Sequence, residues 1–480
     1  MLLRIARHDL RCLAADRAAW ILVAMLAGSV AYGVYNGSTW VRFQEATLAA
    51  VAEDEASRLV QLRRDAEAIA PDAAAPVSWL DPRSPGVVAG SRGQRFAAAP
   101  PGPLAAMTVG QADLYPFYFK MTNRTKQTFI AGDEIENPSN LMAGRFDLGF
   151  VVVYLFPLLI LGLSYNMLSA EREQGTLAMT LAQPVRLRAV LLGKALARAG
   201  LVLTLAIGLA VVGSLVAGVD LRAPGVPARL GLWIATVAAY GAFWFALALA
   251  VNALGLASAT NAVVLVSCWM ALVVIAPALI SVAVTSLHPV PSRVELIGAI
   301  REASSKASQE GSGLLAQYYE DHPELMPASS APIAADFLVK LQAVQKTVDE
   351  TIEPVMARYD DQLARQQELV DRLRFLTPAV ATQEALNDVS GTSLGRHKHF
   401  MAQVDDFHQV WQNFFIPRVM RRERFSLDDY DAIPEFEFRE QPLSAVARRA
   451  AGGLLGLIAP SAVLTLAGLA LLRRYPVAGR

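Results

Sequence analysis

The chain has 480 residues, of which 54% are hydrophobic and 18% are charged, and its mean hydropathy is +0.35. Soluble domains average about 45–50% apolar and about 25% charged residues, so this composition favours a membrane protein. The 43 basic and 43 acidic residues cancel, which argues against a nucleic-acid-binding protein. Two cysteines, Cys12 and Cys268, form neither a disulfide framework nor a metal-binding spacing.

The first 17 residues have the pattern of an amphipathic helix. Apolar residues at positions 2, 3, 5, 6, 10 and 13 are set against Arg4, Arg7, His8 and Arg11. This pattern predicts a helix that lies in the cytoplasmic interface of the membrane before the first span. An ordinary positively charged flank is the alternative.

Six stretches are long and apolar enough to cross a bilayer as helices, because a crossing takes about 20 residues. The predicted spans cover roughly residues 18–35, 148–168, 195–216, 230–254, 262–284 and 450–472. Charged residues are costly inside a span, and these stretches are nearly free of them. The first stretch is longer than the apolar region of a signal peptide and no clear A-x-A site follows it, so we expect a permanent anchor.

The span interiors carry polar residues but no ionisable group that stands out. The polar residues are Asn252, Asn261 and Ser281. Proton-coupled transport normally uses an ionisable group inside a span, so these uncharged side chains disfavour a proton-coupled transporter. Pro157 and Pro277 are expected to kink spans 2 and 5.

The basic residues that flank the spans predict the orientation of the chain. They cluster in the N-terminal segment, in the connection after span 2 and in the tail at residues 473–480. A six-span path puts these three places on one side, so both termini are expected on the cytoplasmic side of a bacterial inner membrane. Arg448 and Arg449 fall on the opposite side, where their side chains can snorkel to the interface.

Two long segments are therefore expected outside the cytoplasm: insertion 1, residues 36–147, and insertion 2, residues 286–449. Apolar residues at helical spacing from Leu48 to Leu62 indicate that span 1 continues as a long helix, and Pro- and Gly-rich stretches follow. The predicted fold class is an all-α membrane protein with six transmembrane helices and two mostly α-helical extracytoplasmic domains.

Within insertion 2, two helices are predicted. They cover about residues 334–375 and 394–415, and Pro354 is expected to kink the first of them.

The connection between spans 2 and 3, Ser169 to Lys194, is more structured than a simple turn requires, and we call it the connecting segment. Glu171 and Glu173 precede Gly175 and Thr176, either of which can cap a helix N-terminus. Two helical turns are predicted for residues 177–182, and Pro184 then ends or bends the helix.

A short amphipathic helix held against the cytoplasmic face gives a soluble partner a rigid surface to push. The sequence equally allows a positively flanked loop that has no partner.

The connecting segment resembles the cytoplasmic coupling segment of type-2 ABC exporter permeases. The resemblance lies in E-R-E-x-G-T-L, then x-Q-P-V, then L-L-G-K-A-L-A-R. The matching positions are Glu171, Glu173, Gly175, Thr176, Leu177, Pro184, Gly193 and Lys194. In that family the segment docks on a separate ATPase and transmits its closure to the spans.

A second resemblance lies at residues 376–400, LTPAVATQEALNDVSGTSLGRHKHF, followed by WQNFFIPRV. It is similar to the outer-domain signature of a bacterial subfamily of these permeases that has large extracytoplasmic insertions. That subfamily is related to the permeases of nitrous-oxide-reductase maturation and gliding motility. The span count and the positions of the two insertions agree with it.

The resemblance implies partners and contact residues. The expected partners are an ABC ATPase dimer, a second permease copy or homologous permease and the lipid bilayer, with a periplasmic protein as a further candidate. ATP and Mg²⁺ would be bound by the ATPase, and this chain would carry no cofactor or metal of its own. The residues implied in ATPase coupling are Glu171, Arg172, Glu173, Gly175, Thr176, Leu177 and Pro184.

Motifs for catalysis are not found in the sequence. Its one Gly-Lys pair, Gly193-Lys194, lacks the rest of a P-loop, so the chain is not expected to hydrolyse ATP alone. His397 and His399 would point to different sides of a helix, which disfavours a metal site, although His397 and His408 would align.

Three functions follow as expectations. The leading one is the permease subunit of an ATP-driven exporter. The alternatives are a subunit that passes force from ATP hydrolysis to the outer domains without translocation, and a membrane receptor without an ATPase.

Overall fold

The computed structural model describes residues 2–69, 81–123, 145–289, 293–321, 337–421 and 423–476. Most of these residues are helical, and six helices are long and apolar enough to cross a membrane. The protein is therefore a multi-pass membrane protein, as predicted.

An N-terminal helix, α1 (Leu2–Ala15), precedes the six spans. The spans are α2 (Arg17–Glu67), α3 (Leu148–Glu173), α5 (Leu187–Val216), α6 (Val226–Asn252), α7 (Ser258–Leu287) and α13 (Leu443–Arg474), and α4 (Thr176–Leu181) lies between α3 and α5. The apolar windows of α3 and α6 are each 67% buried, whereas those of the other four spans are between 11% and 28% buried. Spans 2 and 4 therefore form the centre of the bundle, and the other spans have much of their surface on its outside.

Span 1 continues as one long helix, and this prediction is confirmed. Helix α2 has 51 residues, begins after the Asp16 cap and ends at Glu67. The far end contributes the buried residues Leu62 and Ala66 to the hydrophobic cluster described next.

The two insertions share one hydrophobic core. Insertion 1 adds a small antiparallel sheet, β1 (Phe96–Ala98) with β2 (Tyr118–Lys120), which lies beside the end of α2. Insertion 2 contains the helices α8 (Arg293–Asp321), α9 (Phe337–Leu373), α10 (Pro378–Ser390), α11 (Leu394–Met420) and α12 (Leu427–Asp431). The shared core holds Val88, Ala97, Phe119 and Met121 from insertion 1 and Phe400, Phe407, Trp411, Phe415 and Phe425 from insertion 2. The sequence patterns had suggested two separate domains.

Helices α8 and α9 form a hairpin with a narrow apolar seam. Its buried residues are Ala307, Val344, Val348 and Ile352. The predicted helix over residues 334–375 corresponds to α9 and contains Pro354, while residues 334–336 lie outside the described ranges. Helix α10 belongs to the membrane core instead, because Ala379, Leu386 and Val389 pack with the spans.

Two spans contain a π-helical segment just before a proline. These segments are Val151–Leu155 before Pro157 and Met270–Ile275 before Pro277. Proline has no N–H, so Pro157 cannot bond the carbonyl of Val153 four residues back. The buried Tyr240 hydroxyl of span 4 donates to that carbonyl at 2.8 Å. Within the membrane every backbone carbonyl needs such a partner.

Replacing Tyr240 by Phe is expected to lower the free energy of unfolding by about 1 kcal/mol, because the Val153 carbonyl loses its donor in an apolar site. Denaturant titration of the detergent-solubilised protein measures this loss. In a Pro157→Ala background the new N–H of residue 157 can bond the same carbonyl, so Tyr240→Phe should cost less there. An equal cost in both backgrounds would contradict the role given to Tyr240.

Candidate functional site

Span 2 is interrupted shortly before the connecting segment. Its helix ends at Ser164, residues 165–168 form a turn, and a short helix resumes at Ser169. The interruption leaves backbone carbonyls without their usual partners four residues on, at the edge of the apolar core. We call residues 165–168 the break.

Side chains from three other spans bond the carbonyls around the break. Arg198 donates to the Leu163 carbonyl, Asn252 to Ser164 at 2.9 Å, Asn261 to Tyr165 at 3.1 Å and Lys194 to Met167 at 2.9 Å. We call these four side chains the collar. Lys194 and Arg198 belong to span 3, and the two asparagines belong to spans 4 and 5. The break is therefore held by tertiary hydrogen bonds.

Both cations of the collar are neutralised by carboxylates. Arg198 forms a two-point ion pair with Asp9 of α1, at 2.9 and 3.0 Å. The Lys194 ammonium lies 2.7 Å from the Glu171 carboxylate. The side chains of Lys194 and Arg198 are each 10% exposed, so the pairs are partly shielded from water. Loss of one partner would leave a buried charge, which is costly.

The sequence did not predict a role for Arg198, because this residue lies within the third predicted span, a stretch with almost no charged residues. The signal that could have found it is Asp9, an acidic residue in a segment rich in arginine. An acidic residue on the buried side of an interfacial helix requires a cation to face it.

The charged residues predicted for ATPase coupling make contacts inside the protein. Glu171 pairs with Lys194, as described above. Arg172 donates to the carbonyl of Gly255 and, at 3.0 Å, to that of Leu256, in the connection between spans 4 and 5. Glu173 was expected to favour the N-terminus of α4. It instead accepts the backbone N–H of Ser258 at 2.7 Å and the Ser258 hydroxyl at 2.9 Å, at the start of span 5.

The remaining predicted residues surround α4. Gly175 is the N-cap with φ +73°, a left-handed conformation that glycine adopts without strain, and Thr176 follows as the first helical residue. The Leu177 side chain is fully buried. Gly175, Thr176 and Pro184 are exposed. Met179, which the sequence did not single out, is 75% exposed, so α4 presents an outer face that contains Thr176 and Met179.

The opposite end of span 2 is fixed to insertion 1 by Asp147. This buried carboxylate accepts the N–H groups of Val109 at 2.7 Å, Gly110 at 3.0 Å and Phe150 at 2.7 Å. Gly110 has φ +56°, and a Cβ there would lie 2.5 Å from the Asn387 amide oxygen of α10. Insertion 1, insertion 2 and span 2 therefore meet at this point.

An ionic network joins insertion 2 to spans 4 and 6. Arg396 of α11 contacts Glu440 at 2.7 Å, and Arg229 of span 4 lies 3.7 Å from the same carboxylate. Arg449 of span 6 pairs with Asp388 of α10 at 3.1 Å. This pairing gives Arg449 a protein partner, where the sequence had suggested that it snorkels to the interface.

The histidines of α11 have different surroundings. His397 stacks on Tyr115 of insertion 1 with ring centres 4.5 Å apart, and burial lowers the pKa of its imidazole to about 4. His399 contacts the Arg439 carbonyl at 2.9 Å, and His408 is buried. In the ranges that the structure describes, no three His, Cys, Asp or Glu side chains come together in a way that could hold a metal ion.

Comparison with known proteins gives one family match. A family model described as a domain of unknown function (DUF3526) matches residues 293–439, less than half of the chain. The matched region covers α8 to α12 and includes the α11 residues of the shared core. Among curated proteins, none matches the chain significantly.

The burial of the His397 imidazole predicts a pH dependence of stability. The folded pKa is about 4, below the ordinary 6.5, so the unfolded chain takes up a proton first as the pH falls. Stability is therefore complete above about pH 6.5 and declines by about 3 kcal/mol as the pH falls to about 4. Thermal unfolding of purified protein across this range measures the decline.

A His397→Phe variant keeps an aromatic ring against Tyr115 and cannot titrate, so its midpoint should fall less over the same range. The half-buried His399, two residues further along α11, is changed to Gln as the matched control for loss of a histidine. His397→Phe should reduce the fall in the midpoint more than His399→Gln does. A His397→Phe variant with the unaltered pH profile would refute the assignment.

Proposed function

We propose that this protein is the permease subunit of an ATP-driven ABC transporter in a bacterial inner membrane, with both termini in the cytoplasm. A separate ATPase dimer binds ATP and Mg²⁺ and docks on the connecting segment. A second permease copy or a homologous permease completes the membrane part, and the assembly moves a substrate across the membrane. Insertions 1 and 2 lie on the outer side.

One observation carries the proposal: the exposed face of α4 adjoins three charged residues that bond to other spans. Glu171 contacts span 3, Arg172 contacts the connection before span 5, and Glu173 contacts the first residue of span 5. A displacement of α4 by a docked ATPase would therefore act on spans 3 and 5 as well as on span 2.

The distribution of arginines supports the orientation. Arg186, Arg188, Arg473 and Arg474 are exposed at the ends of spans that adjoin the connecting segment and the C-terminal tail. Exposed basic residues in short flanks favour the cytoplasmic side.

The docking step is tested by co-purification with an ABC ATPase of the same bacterium. Met179→Asp places a charge on the exposed face of α4 without disturbing a buried contact, and it should reduce ATPase binding by about tenfold or more. Leu427→Asp, at a 41% exposed position of α12, is the matched control and should bind as the unaltered protein does.

The coupling step is tested separately. Glu173→Gln keeps the shape of the side chain but weakens the contact with Ser258, so the ATPase should still bind while permease-dependent ATP hydrolysis falls. If the purified protein forms no complex with the ATPase, or if Met179→Asp and Glu173→Gln leave binding and hydrolysis unchanged, the proposal fails.

A second candidate is force transmission without translocation. It is favoured by the links between the membrane part and the insertions, through Asp147 at span 2 and through Arg229 and Arg449 at spans 4 and 6. These links would carry movement of the spans to insertions 1 and 2, which would then act on an envelope or periplasmic partner. A structure of the assembled complex discriminates: a continuous cavity between two permeases at membrane depth favours transport, and a sealed interface favours force transmission.

A further inference from the structure

Helix α1 is divided into a buried side and a basic side. Asp9 and Leu13 are buried against the protein, whereas Arg4, Arg7 and Arg11 are exposed. Residues three and four apart share one face of a helix, so the three arginines form a continuous basic surface. None of the three has an acidic partner among the residues that the structure describes.

Apolar side chains adjoin this basic surface. Leu3 is 86% exposed and Leu10 is 37% exposed, and their spacing of seven residues puts them on one side of the helix beside Arg7. Trp20, 61% exposed, stands at the joint between α1 and span 1 and donates its indole N–H to the Ala14 carbonyl. Exposed tryptophan at the end of a span is typical of the membrane–water interface.

The occupant that fits this surface is lipid. The basic surface suits anionic phosphate groups, the neighbouring leucines suit the outer part of the acyl region, and Trp20 marks the depth of the interface. A soluble acidic protein would satisfy the arginines but would leave Leu3 and Leu10 without an apolar environment.

We propose that α1 binds anionic phospholipid headgroups through Arg4, Arg7 and Arg11. Through the Asp9–Arg198 ion pair, this binding stabilises the break in span 2. Arg198 joins the two events because one guanidinium holds Asp9 of α1 and the Leu163 carbonyl beside the break. When headgroups hold α1 in place, Asp9 restrains the Arg198 side chain through their ion pair. Arg198 then keeps its hydrogen bond to the Leu163 carbonyl beside the break. Anionic lipid thus stabilises the inner end of span 2 and the connecting segment.

This inference does not require the proposed ATPase and is tested on the permease alone. The full chain is placed in nanodiscs of phosphatidylcholine, or of phosphatidylcholine mixed with phosphatidylglycerol, and amide hydrogen exchange is compared. We expect phosphatidylglycerol to slow exchange in α1 by about tenfold. The effect should disappear at about 1 M salt, because salt screens the attraction between the arginines and the headgroups. Exchange at residues 163–175 should slow as well.

Three variants separate the parts of the proposal. Arg4, Arg7 and Arg11 changed together to Gln should abolish both responses, and the same three changed to Lys should keep both, because Lys preserves the charge. Asp9→Asn should keep the response of α1 and lose the response at residues 163–175.

Equal exchange in the two lipid mixtures would overturn the proposal, and so would an Asp9→Asn protein that keeps the response at residues 163–175. Protection of α1 that arises only when an ATPase is added would assign the basic surface to that protein and refute lipid binding. The comparison of lipids in the unaltered protein decides the first point even if Asp9→Asn fails to fold.

Discussion

The arrangement of the protein around the connecting segment follows from one constraint: a helix that breaks within an apolar environment must find other partners for its carbonyl groups. Around residues 165–168 those partners are side chains of spans 3, 4 and 5. A continuous helix would have bonded the same carbonyls within span 2 and needed no neighbours. Because side chains of three other spans donate to the carbonyls around the break, a shift of the connecting segment also acts on those spans. The hydrogen bonds that satisfy the backbone carbonyls of span 2 are thus the same contacts that connect span 2 mechanically to spans 3, 4 and 5.

Span 2 is also fixed at its other end, and the two ends differ in kind. At the end next to the connecting segment, charged and amide side chains donate to backbone carbonyls. At the other end, the Asp147 carboxylate accepts backbone N–H groups of span 2 and of insertion 1. Span 2 lies in the centre of the bundle, with 67% of its apolar window buried. A buried helix tied at both ends is suited to carry movement along its axis, which is what both proposed functions require.

Much of the fold could be predicted from the sequence because it depends on local patterns. Length and hydropathy are sufficient to identify the six spans, and helical spacing identifies the continuation of span 1. The shared core of the two insertions could not be predicted, since Leu62 and Trp411 meet only through the tertiary fold. The same limit applies to the candidate site. Glu173 precedes α4 in sequence, but its partner Ser258 lies 85 residues away.

The ion pairs at the two ends of the helical bundle are better explained by the position that they impose on the helices than by a gain in stability. Replacing a buried ion pair with apolar residues is often neutral or stabilising, so such a pair is weak evidence of a stability requirement. Arg198 with Asp9, and Arg396 with Glu440, instead fix one element to another, because a two-point contact between guanidinium and carboxylate adds geometric specificity. An apolar contact would let α1 slide along span 3 at little cost. The ionic contact permits one position, and a helix that must pass a small displacement to its neighbours needs that restriction.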